Sequence, residues 1–346
     1  MTPSILLTID VEDWFQVENF KPWIPFSSWS SHDLRVEKNT HRILDLLDSV
    51  EVPPSGTLAP ASTQHPSVGK PKLCCFRNPR ATFFVLGWIA KRKPHLVREI
   101  HARGHEVASH GYHHTLCKEE PSEKLKNDLT DSKKLLEDIL AAPVLGYRAP
   151  SFSINDDILK IIADCGYLYD SSYNSFAMHR RYGHIDLSQN RKKGIALEIP
   201  KTQHPAPRSH DPASSSLFEL PITNLNLKDL FSYRLSANSN QQNRAPLVLP
   251  WGGGGYFRLL PTLFFKMGVK AILKKQGAYL FYLHPWEVDP QQPQVPGVPK
   301  AFRLRHYANL DKTEAKLFSF IAAFRRCTFT NCYDYLRLQQ LLCPKA

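Results

Sequence analysis

The feature that most restricts the fold of this chain is a repeated order of elements: an apolar strand, a polar cluster and then a helix. Residues 4–9 form the first apolar run, which ends at an acidic cluster. Residues 81–86 and 105–109 are further apolar runs, and the second of these leads into the sequence HGYHH. Short apolar runs bounded by polar residues are typical of buried parallel strands. The repeat therefore predicts an α/β fold, with the chemistry at the strand ends.

Helical periodicity separates these strands. Apolar residues recur near the 3.6-residue period, and glycines follow two of the helical segments. The predicted helices cover residues 36–49, 89–104, 122–140 and 156–165. Residues 278–287 contain a late strand, and residues 311–342 are predicted to be mostly helical. In that last segment the apolar side chains predicted to pack inward are Leu317, Phe318, Phe320, Ile321 and Phe324.

Three polar segments interrupt this pattern. Residues 51–80 contain six prolines and have no periodicity, and residues 201–216 and 237–246 are rich in polar residues. A length of 346 residues is compatible with about two average domains. Because the insertions account for much of the excess length, we expect a single domain over residues 1–346.

Composition excludes disorder for most of the chain, since 42% of the residues are hydrophobic and 22% are charged. The net charge of +12 favours anionic partners but does not identify one. The first residues lack the basic start of a secretory signal, and seven cysteines form no CxxC pair. These observations predict a cytoplasmic location, possible also at the inner face of a membrane.

Two polar clusters have the composition of a metal site. Asp10, Glu12 and Asp13 follow the first strand, and three carboxylates so close together repel one another unless a cation is near. His110 and His114 are four residues apart directly after another strand. Two imidazoles and one carboxylate are a common catalytic metal arrangement. The alternative for the acidic cluster alone is a solvated turn.

Arg148 and His284 stand at two further strand ends. An arginine at this edge can pair with a carboxylate and hold it ionised, and Arg148 is followed by the fixed backbone of Pro150. His284 lies in the sequence LHPWE, where a histidine suits a general acid near neutral pH. The alternative for His284 is an ordinary core histidine.

Two other segments of the sequence are candidates for a functional role. Residues 252–255 are four glycines, but the lysine and the serine or threonine of a phosphate-binding loop are missing, which excludes that reading. Residues 258–275 are basic and apolar, so they form either a core helix or a helix that rests on a membrane surface. The core helix is the favoured interpretation.

The ordered set of motifs resembles the NodB-homology polysaccharide deacetylases of carbohydrate esterase family 4. The sequences that match are TIDVED, SHGYHH, YRAPSF and YLHPWE. The resemblance is closer to the branch associated with exosortase A (XrtA) and PEP-CTERM exopolysaccharide loci, with TIDVEDWFQV, GYFRLLP and HYANLDKTEAKL. It covers nearly the whole chain outside the three polar segments.

This resemblance implies a deformed (β/α) barrel of about seven strands that removes N-acetyl groups from a polysaccharide with a divalent metal, zinc above all. By position, Asp10 matches the catalytic base, Arg148 the arginine that orients it, and His284 the acid. His110 and His114 match the metal-binding histidines. Because Val11 stands where many members have a second aspartate, the carboxylate ligand is Glu12 or Asp13, with Glu12 favoured.

The expected partner is an N-acetylated polysaccharide or a lipid-linked oligosaccharide, with no nucleic acid. Pro150, Tyr112 and Trp286 are the candidate substrate-binding residues, and packing at the barrel mouth is an equal alternative for the two aromatic side chains. Two other functions stay open: a related hydrolase of a different non-peptide amide, as in allantoinase-like proteins, and a basic glycan-binding protein without catalysis. The oligomeric state cannot be predicted from the sequence.

Overall fold

A computed structural model describes residues 2–52, 78–176, 181–188, 190–200, 216–231 and 247–342. Most of the predicted loop 51–80 and of 201–216, and all of 237–246, lie outside the described residues. The described strands are β1 (Ser4–Val11), β2 (Thr82–Val85), β3 (Glu106–Ser109), β4 (Gly146–Tyr147), β5 (Tyr169–Asp170), β6 (Arg191–Lys193), β7 (Ala196–Pro200), β8 (Ser216–Glu219), β9 (Leu225–Asn226), β10 (Val248–Leu249), β11 (Ala278–Leu283) and β12 (Thr328–Thr330).

Seven of these strands form a parallel sheet in the order β11, β1, β2, β3, β4, β5, β8. Strands β7 and β6 extend it antiparallel beyond β8, and β12 pairs with the first half of β1. All eight residues of β1 are buried, as expected for a strand covered on both faces. The prediction of an α/β fold with parallel strands is confirmed.

The chain after β8 also contacts β11, at the other end of the parallel order. The amide of Leu280 donates to Thr223 Oγ1 at 2.8 Å, and Gly253 pairs with Tyr282 in a single parallel bridge. The glycine run is needed here, since a side chain at residue 254 would overlap the carboxylate of Glu287. The run therefore has a packing role, in line with its exclusion as a phosphate loop.

Helices connect the strands. They are α1 (Val36–Asp48), α2 (Gly87–Arg92), α3 (Pro94–Ala102), α4 (Ser122–Leu140), α5 (Asp156–Asp164), α6 (Leu227–Phe231), α7 (Gly254–Leu259), α8 (Thr262–Gln276), α9 (Lys300–Tyr307), α10 (Leu310–Ala323) and α11 (Cys332–Leu338). Among the described residues, none of these helices is long and apolar enough to cross a bilayer.

One helix prediction is wrong in its continuity. The segment 89–104 is divided at Lys93, where φ is −132° and ψ is 56°. Proline disfavours the helical conformation of the residue before it, so α2 ends there. Pro94 then occupies the first position of α3, where its missing N–H costs nothing.

The tail departs from prediction at two points. Strand β12 interrupts the helical segment, because residues 328–330 pair with β1. Four of the five side chains predicted to pack inward from this segment are buried, whereas Phe318 is 48% exposed. Phe318 is adjacent to the buried Leu317, and successive residues of a helix point about 100° apart.

Candidate active site

The parallel strands bring the predicted polar residues to one edge of the sheet. Asp10 pairs with Phe84 near the end of β1, and Ile9 pairs with Leu283 at the end of β11. His110 and Arg148 directly follow the paired residues at the ends of β3 and β4. A cleft of about 130 Å³ opens at this edge, and its lining includes Asp10, Glu12, His110, His114, Tyr282 and His284.

Glu12, His110 and His114 offer ligand atoms that all lie within 4.8 Å of one another, and all three residues are buried. His110 Nδ1 lies 2.8 Å from the carbonyl oxygen of Arg148. That nitrogen must donate to the carbonyl, so Nε2 of the neutral ring is left with a free lone pair. His114 has a positive φ of 54°, an uncommon conformation for histidine that the surrounding packing holds in place.

The donor set fits a divalent cation. Glu12 Oε2 is buried and lies 2.7 Å from His114 Nε2, and although burial lowers the pKa of that imidazole, the carboxylate raises it above its usual value. A divalent cation bound between them would take the place of that proton as the partner of the carboxylate. Burial lowers the pKa of His110 to about 3, which keeps this imidazole neutral and available as a ligand. Two imidazoles and one carboxylate with open positions suit zinc or a similar ion.

Asp13 is engaged elsewhere. Its Oδ1 accepts from the amide of Trp14 at 2.8 Å, and its Oδ2 accepts from the amides of Arg35 and Val36 at 2.7 and 2.8 Å. These bonds cap the turn after β1 and fix the start of α1. Asp13 is not part of the three-ligand group, so the geometry favours Glu12 of the two predicted carboxylates.

Arg148 is fully buried beside Asp10. Its Nη1 donates to Asp10 Oδ1 at 2.7 Å and to Thr8 Oγ1 at 2.8 Å, and its Nε and Nη2 donate to the carbonyl and hydroxyl oxygens of Ser171. The guanidinium also lies over the ring of Phe84, with its carbon 4.1 Å from the centroid. The planar fork therefore holds one oxygen of Asp10 in a fixed position. The other oxygen, Oδ2, faces His284 Nε2 at 3.9 Å.

His284 is held by a buried ion pair that sequence reasoning missed. Its Nδ1 lies 2.8 Å from Glu287 Oε1, and Glu287 Oε2 accepts from Arg258 Nε at 2.7 Å. Arg258 in turn donates to the carbonyl oxygens of Arg305, His306 and Ala308. The signal for Glu287 was its position three residues after His284 in HPWE, but nothing local in the sequence indicates Arg258.

The charges around His284 decide its protonation. Burial lowers the pKa of His284, but the carboxylates of Glu12 and Glu287 outweigh burial and raise it to about 9. Burial raises the pKa of Glu287, whereas Arg258 and His284 together lower it to about 2. His284 is therefore protonated near neutral pH, with Nε2 toward the cleft, and it is 3.2 Å from Glu12 Oε1.

The three candidate substrate-binding residues occupy different surroundings. The ring of Trp286 lies between His284 and His306, with centroid distances of 5.1 and 4.1 Å, and it lines the cleft. Burial lowers the pKa of His306 to about 3, so a neutral ring stacks there. Pro150 is buried in the turn after β4, and Tyr112 packs on His113; neither lines this cleft.

Family models match two separate parts of the chain. Residues 77–169 match the polysaccharide deacetylase family. Residues 239–336 match a domain of unknown function, DUF3473. The polysaccharide deacetylase segment contains His110, His114 and Arg148, whereas the second segment contains His284 and the pair behind it. The cleft is thus built from both segments together with the end of β1.

Curated relatives agree with the polysaccharide deacetylase match. The chain is 38% identical over 87 residues to a peptidoglycan-N-acetylglucosamine deacetylase of Bacillus cereus. These 87 residues are 25% of this chain and 40% of the relative. It is 29% identical over 106 residues to a chitooligosaccharide deacetylase of Azorhizobium caulinodans, covering 30% of this chain and 50% of the relative. The chain spans half or less of the length of these curated relatives.

Two solved structures share the fold over nearly their whole length. A putative polysaccharide deacetylase from Mycobacterium smegmatis matches with a TM-score of 0.54 at 18% identity, and the match covers 100% of this chain and 93% of the other protein's chain. The PuuE allantoinase matches with a TM-score of 0.52 at 15% identity, and that match covers 99% of this chain and 92% of the allantoinase chain. At these identities the likeness establishes the fold alone. The likeness to polysaccharide deacetylases at the level of sequence rests on residues 77–169 and on the curated relatives.

Proposed function

We propose that this protein is a metal-dependent hydrolase that removes N-acetyl groups from a polysaccharide. The observation that supports it most directly is the group formed by Glu12, His110 and His114, with their ligand atoms within 4.8 Å. Asp10 and His284 face the same cleft, and their side chains approach to 3.9 Å. A carboxylate and a protonated histidine on either side of a metal site are what the hydrolysis of an amide requires.

The proposed ligands are Glu12 Oε2 and the imidazoles of His110 and His114. When bound there, a divalent cation would polarise the acetyl carbonyl and lower the pKa of a water molecule toward neutrality. We propose zinc, because two imidazoles and one carboxylate are typical of catalytic zinc sites. The burial of Glu12 and the 2.7 Å approach of its Oε2 to His114 Nε2 support a ligand role independently of any resemblance.

Asp10 is proposed as the general base. Arg148 occupies Asp10 Oδ1 and leaves Oδ2 toward the cleft. Oδ2 would accept the proton of the attacking water as its oxygen bonds to the acetyl carbon. Because the Arg148 side chain keeps three other hydrogen bonds, Asp10 cannot turn away from this position without leaving a buried cation unpaired.

His284 is proposed as the general acid. It is protonated near neutral pH, and the bond from Nδ1 to Glu287 directs Nε2 toward the cleft. Nε2 would donate its proton to the nitrogen of the amide as the C–N bond breaks. The products are acetic acid, which ionises to acetate in water, and a free amine on the sugar. Asp10 is left protonated and His284 neutral, so one proton must pass from Asp10 to His284, directly or through solvent, before the next turnover.

The proposed substrate is an N-acetylated polysaccharide or a lipid-linked oligosaccharide. The printed names of the relatives, a peptidoglycan-N-acetylglucosamine deacetylase and chitooligosaccharide deacetylases, support an N-acetylated sugar. A role in exopolysaccharide synthesis with the exosortase and PEP-CTERM system rests on the motif resemblance. Substrate contact by Pro150, Tyr112 and Trp286 and a cytoplasmic location also remain proposals; Trp286, which lines the cleft, is the best placed of the three.

The test is acetate release from N-acetylated oligosaccharides by the full chain, with and without a chelator. We expect release by the wild type, loss with chelator, and recovery when zinc or another divalent ion is added back. His110→Ala is expected to lower kcat/KM by at least about 100-fold, since it removes a proposed ligand.

His113→Ala is the matched control. His113 is one residue from the ligand His114, but its side chain is 48% exposed and pairs with Asp128 outside the three-ligand group. We expect it to keep nearly full activity. Release that a chelator does not affect, or full activity of His110→Ala, would contradict the metal-dependent mechanism. Saccharide binding with no acetate release under any metal would instead indicate the non-catalytic glycan-binding alternative.

A further inference from the structure

Helices α7 and α8 expose a group of large apolar side chains to solvent. We define the α7–α8 face by its four most exposed members, and each of them is at least a third exposed. They are Leu259 (46%), Leu263 (75%), Phe264 (36%) and Met267 (50%). A contiguous exposed apolar surface of this kind is typical of an interaction site.

The α7–α8 face is distinct from the side of α8 that packs against the core. Helix α8 buries Phe265, Val269 and Ile272 against the rest of the molecule, which confirms the core interpretation of its apolar stripe. Leu263 and Met267 lie at positions i and i+4 on the opposite side. Phe264 lies on the flank, where its ring also packs on the buried Trp251 with the centroids 5.5 Å apart. The core therefore does not account for Leu263 and Met267.

The charged side chains on the exposed side of α8 are lysines. Neither α7 nor α8 contains an Asp or Glu, and the nearest acidic partner, Asp229, pairs with Lys275 at the end of α8. Lys270 and Lys274 are exposed one and two helical turns beyond Met267 on the same side of α8. Lys266 is instead turned toward α10, where its Nζ donates to Ser319 Oγ at 2.8 Å. Apolar side chains next to clustered lysines complement a surface with anionic groups above an apolar layer.

The face lies toward the cleft. Helix α8 leads through Gly277 into β11, and His284 directly follows the end of that strand. Because α8 packs along β11 and runs back against it, the first turns of α8 lie near the His284 end. The preceding helix α7 also contributes Gly255 and Arg258 to the cleft lining, and Leu259 is the next residue.

We propose that the α7–α8 face docks this protein on an anionic phospholipid surface. The four apolar side chains would enter the outer layer of lipid chains, while Lys270 and Lys274 contact the headgroups. This goes beyond the proposed hydrolysis, since binding to the membrane does not depend on catalysis. Its consequence is that the cleft faces a saccharide carried on a membrane lipid.

The experiment is sedimentation of the full chain with vesicles of phosphatidylcholine alone and with vesicles that also contain phosphatidylglycerol. We expect binding to the vesicles with phosphatidylglycerol and little binding to the neutral ones. Leu263→Ser with Met267→Ser, and separately Lys270→Glu, should each lower the partition coefficient by about tenfold or more.

Matched controls change equally exposed residues elsewhere. Leu304→Ser with Leu338→Ser removes two leucines that are 69% and 49% exposed on other helices. Lys91→Glu changes the charge on α2 by the same amount as Lys270→Glu. These controls are expected to bind vesicles as the wild type does. Acetate release from a soluble oligosaccharide should stay unchanged in every variant, which separates loss of docking from loss of the proposed hydrolysis.

Failure of the wild type to bind either kind of vesicle would overturn the proposal. Equal binding by the wild type and the α7–α8 variants would also overturn it, because another surface would then be responsible. Loss of self-association in Leu263→Ser with Met267→Ser, without a change in vesicle binding, would instead identify the face as an interface between copies of the chain.

Discussion

At the scale of single residues, the cleft depends on buried charges held in fixed pairs. Arg148 with Asp10 and Arg258 with Glu287 are each at least 97% shielded from solvent. Removing one member of such a pair leaves the other charge buried without a partner, which costs several kcal/mol. Arg148 therefore holds Asp10 in position. Arg258 holds Glu287, and Glu287 in turn holds His284.

The pair behind His284 predicts a change in pH dependence. In Glu287→Gln one of the two carboxylates that chiefly raise the pKa of His284 is lost, while Glu12 remains and Arg258 stays close by. The general acid must be protonated, so activity falls as pH rises through the pKa of His284, which Glu287 helps to hold above its usual value in the wild type. We expect the alkaline limb of kcat/KM against pH to move to lower pH in this variant.

Glu314→Gln is the control for that measurement. Glu314 also pairs with an arginine, Arg42, but its side chain is 42% exposed. The control should leave the pH profile unchanged and alter stability by less than about 0.5 kcal/mol, whereas Glu287→Gln should cost about 3 kcal/mol. An alkaline limb that does not move in Glu287→Gln would refute the role assigned to Glu287.

At the scale of elements, the glycine run before α7 sets how closely that helix approaches the ion pair. A Cβ on Gly254 would lie 2.6 Å from Cδ of Glu287, which is held on both sides by Arg258 and His284. We expect Gly254→Ala to lower the melting temperature by several degrees and to reduce kcat, measured by thermal unfolding and acetate release.

The adjacent glycine provides the control. A Cβ on Gly255 has Arg305 Nε as its nearest neighbour, at 4.0 Å. Alanine is favoured over glycine within a helix by about 1 kcal/mol, so Gly255→Ala should be neutral or slightly stabilising. Equal melting temperatures for the two alanine variants would show that the approach of α7 to Glu287 is not restrictive.

The observed helices and strands also show what hydrophobic periodicity can and cannot predict. The pattern located the helix over 36–49 to within one residue, because its apolar stripe and its ends are local features. It did not find β12, whose three residues become a strand only by pairing with β1. It joined α2 to α3, where the proline signal was present in the sequence but was outweighed by the continuous apolar pattern.

At the scale of the whole molecule, the proposed metal site links residues that are far apart in sequence. Glu12 lies on the loop after β1, whereas His110 and His114 follow β3. An ion bound between them stabilises only the folded chain, since the unfolded chain does not hold the three ligands together.

This linkage predicts metal-dependent stability. At about 100 times its dissociation constant, zinc should raise the free energy of unfolding by about 2.7 kcal/mol. We expect a higher melting temperature with zinc for the wild type and for His113→Ala, and no increase for His110→Ala. An equal increase in all three proteins would indicate that zinc binds outside the proposed site.

The parallel α/β arrangement and most of the polar residues at the edge of the sheet could be predicted from the sequence. Glu12, His110 and His114 follow strands as predicted, and Asp10 lies in the last two residues of β1, because strand ends and polar clusters are local in sequence. The choice between Glu12 and Asp13 required the structure, since only the packing of α1 shows that Asp13 is bound by backbone amides.

The residues behind and beside the cleft could not be predicted from the sequence, because their positions depend on which elements pack together. Arg258 is 29 residues from Glu287, and large apolar residues occur on the exposed side of α8 as well as on its buried side. A pattern of residue types tells which side chains are apolar or charged, whereas burial and pairing depend on which elements pack together. That packing made Arg258 a buried partner of Glu287 and left Leu263 and Met267 in solvent.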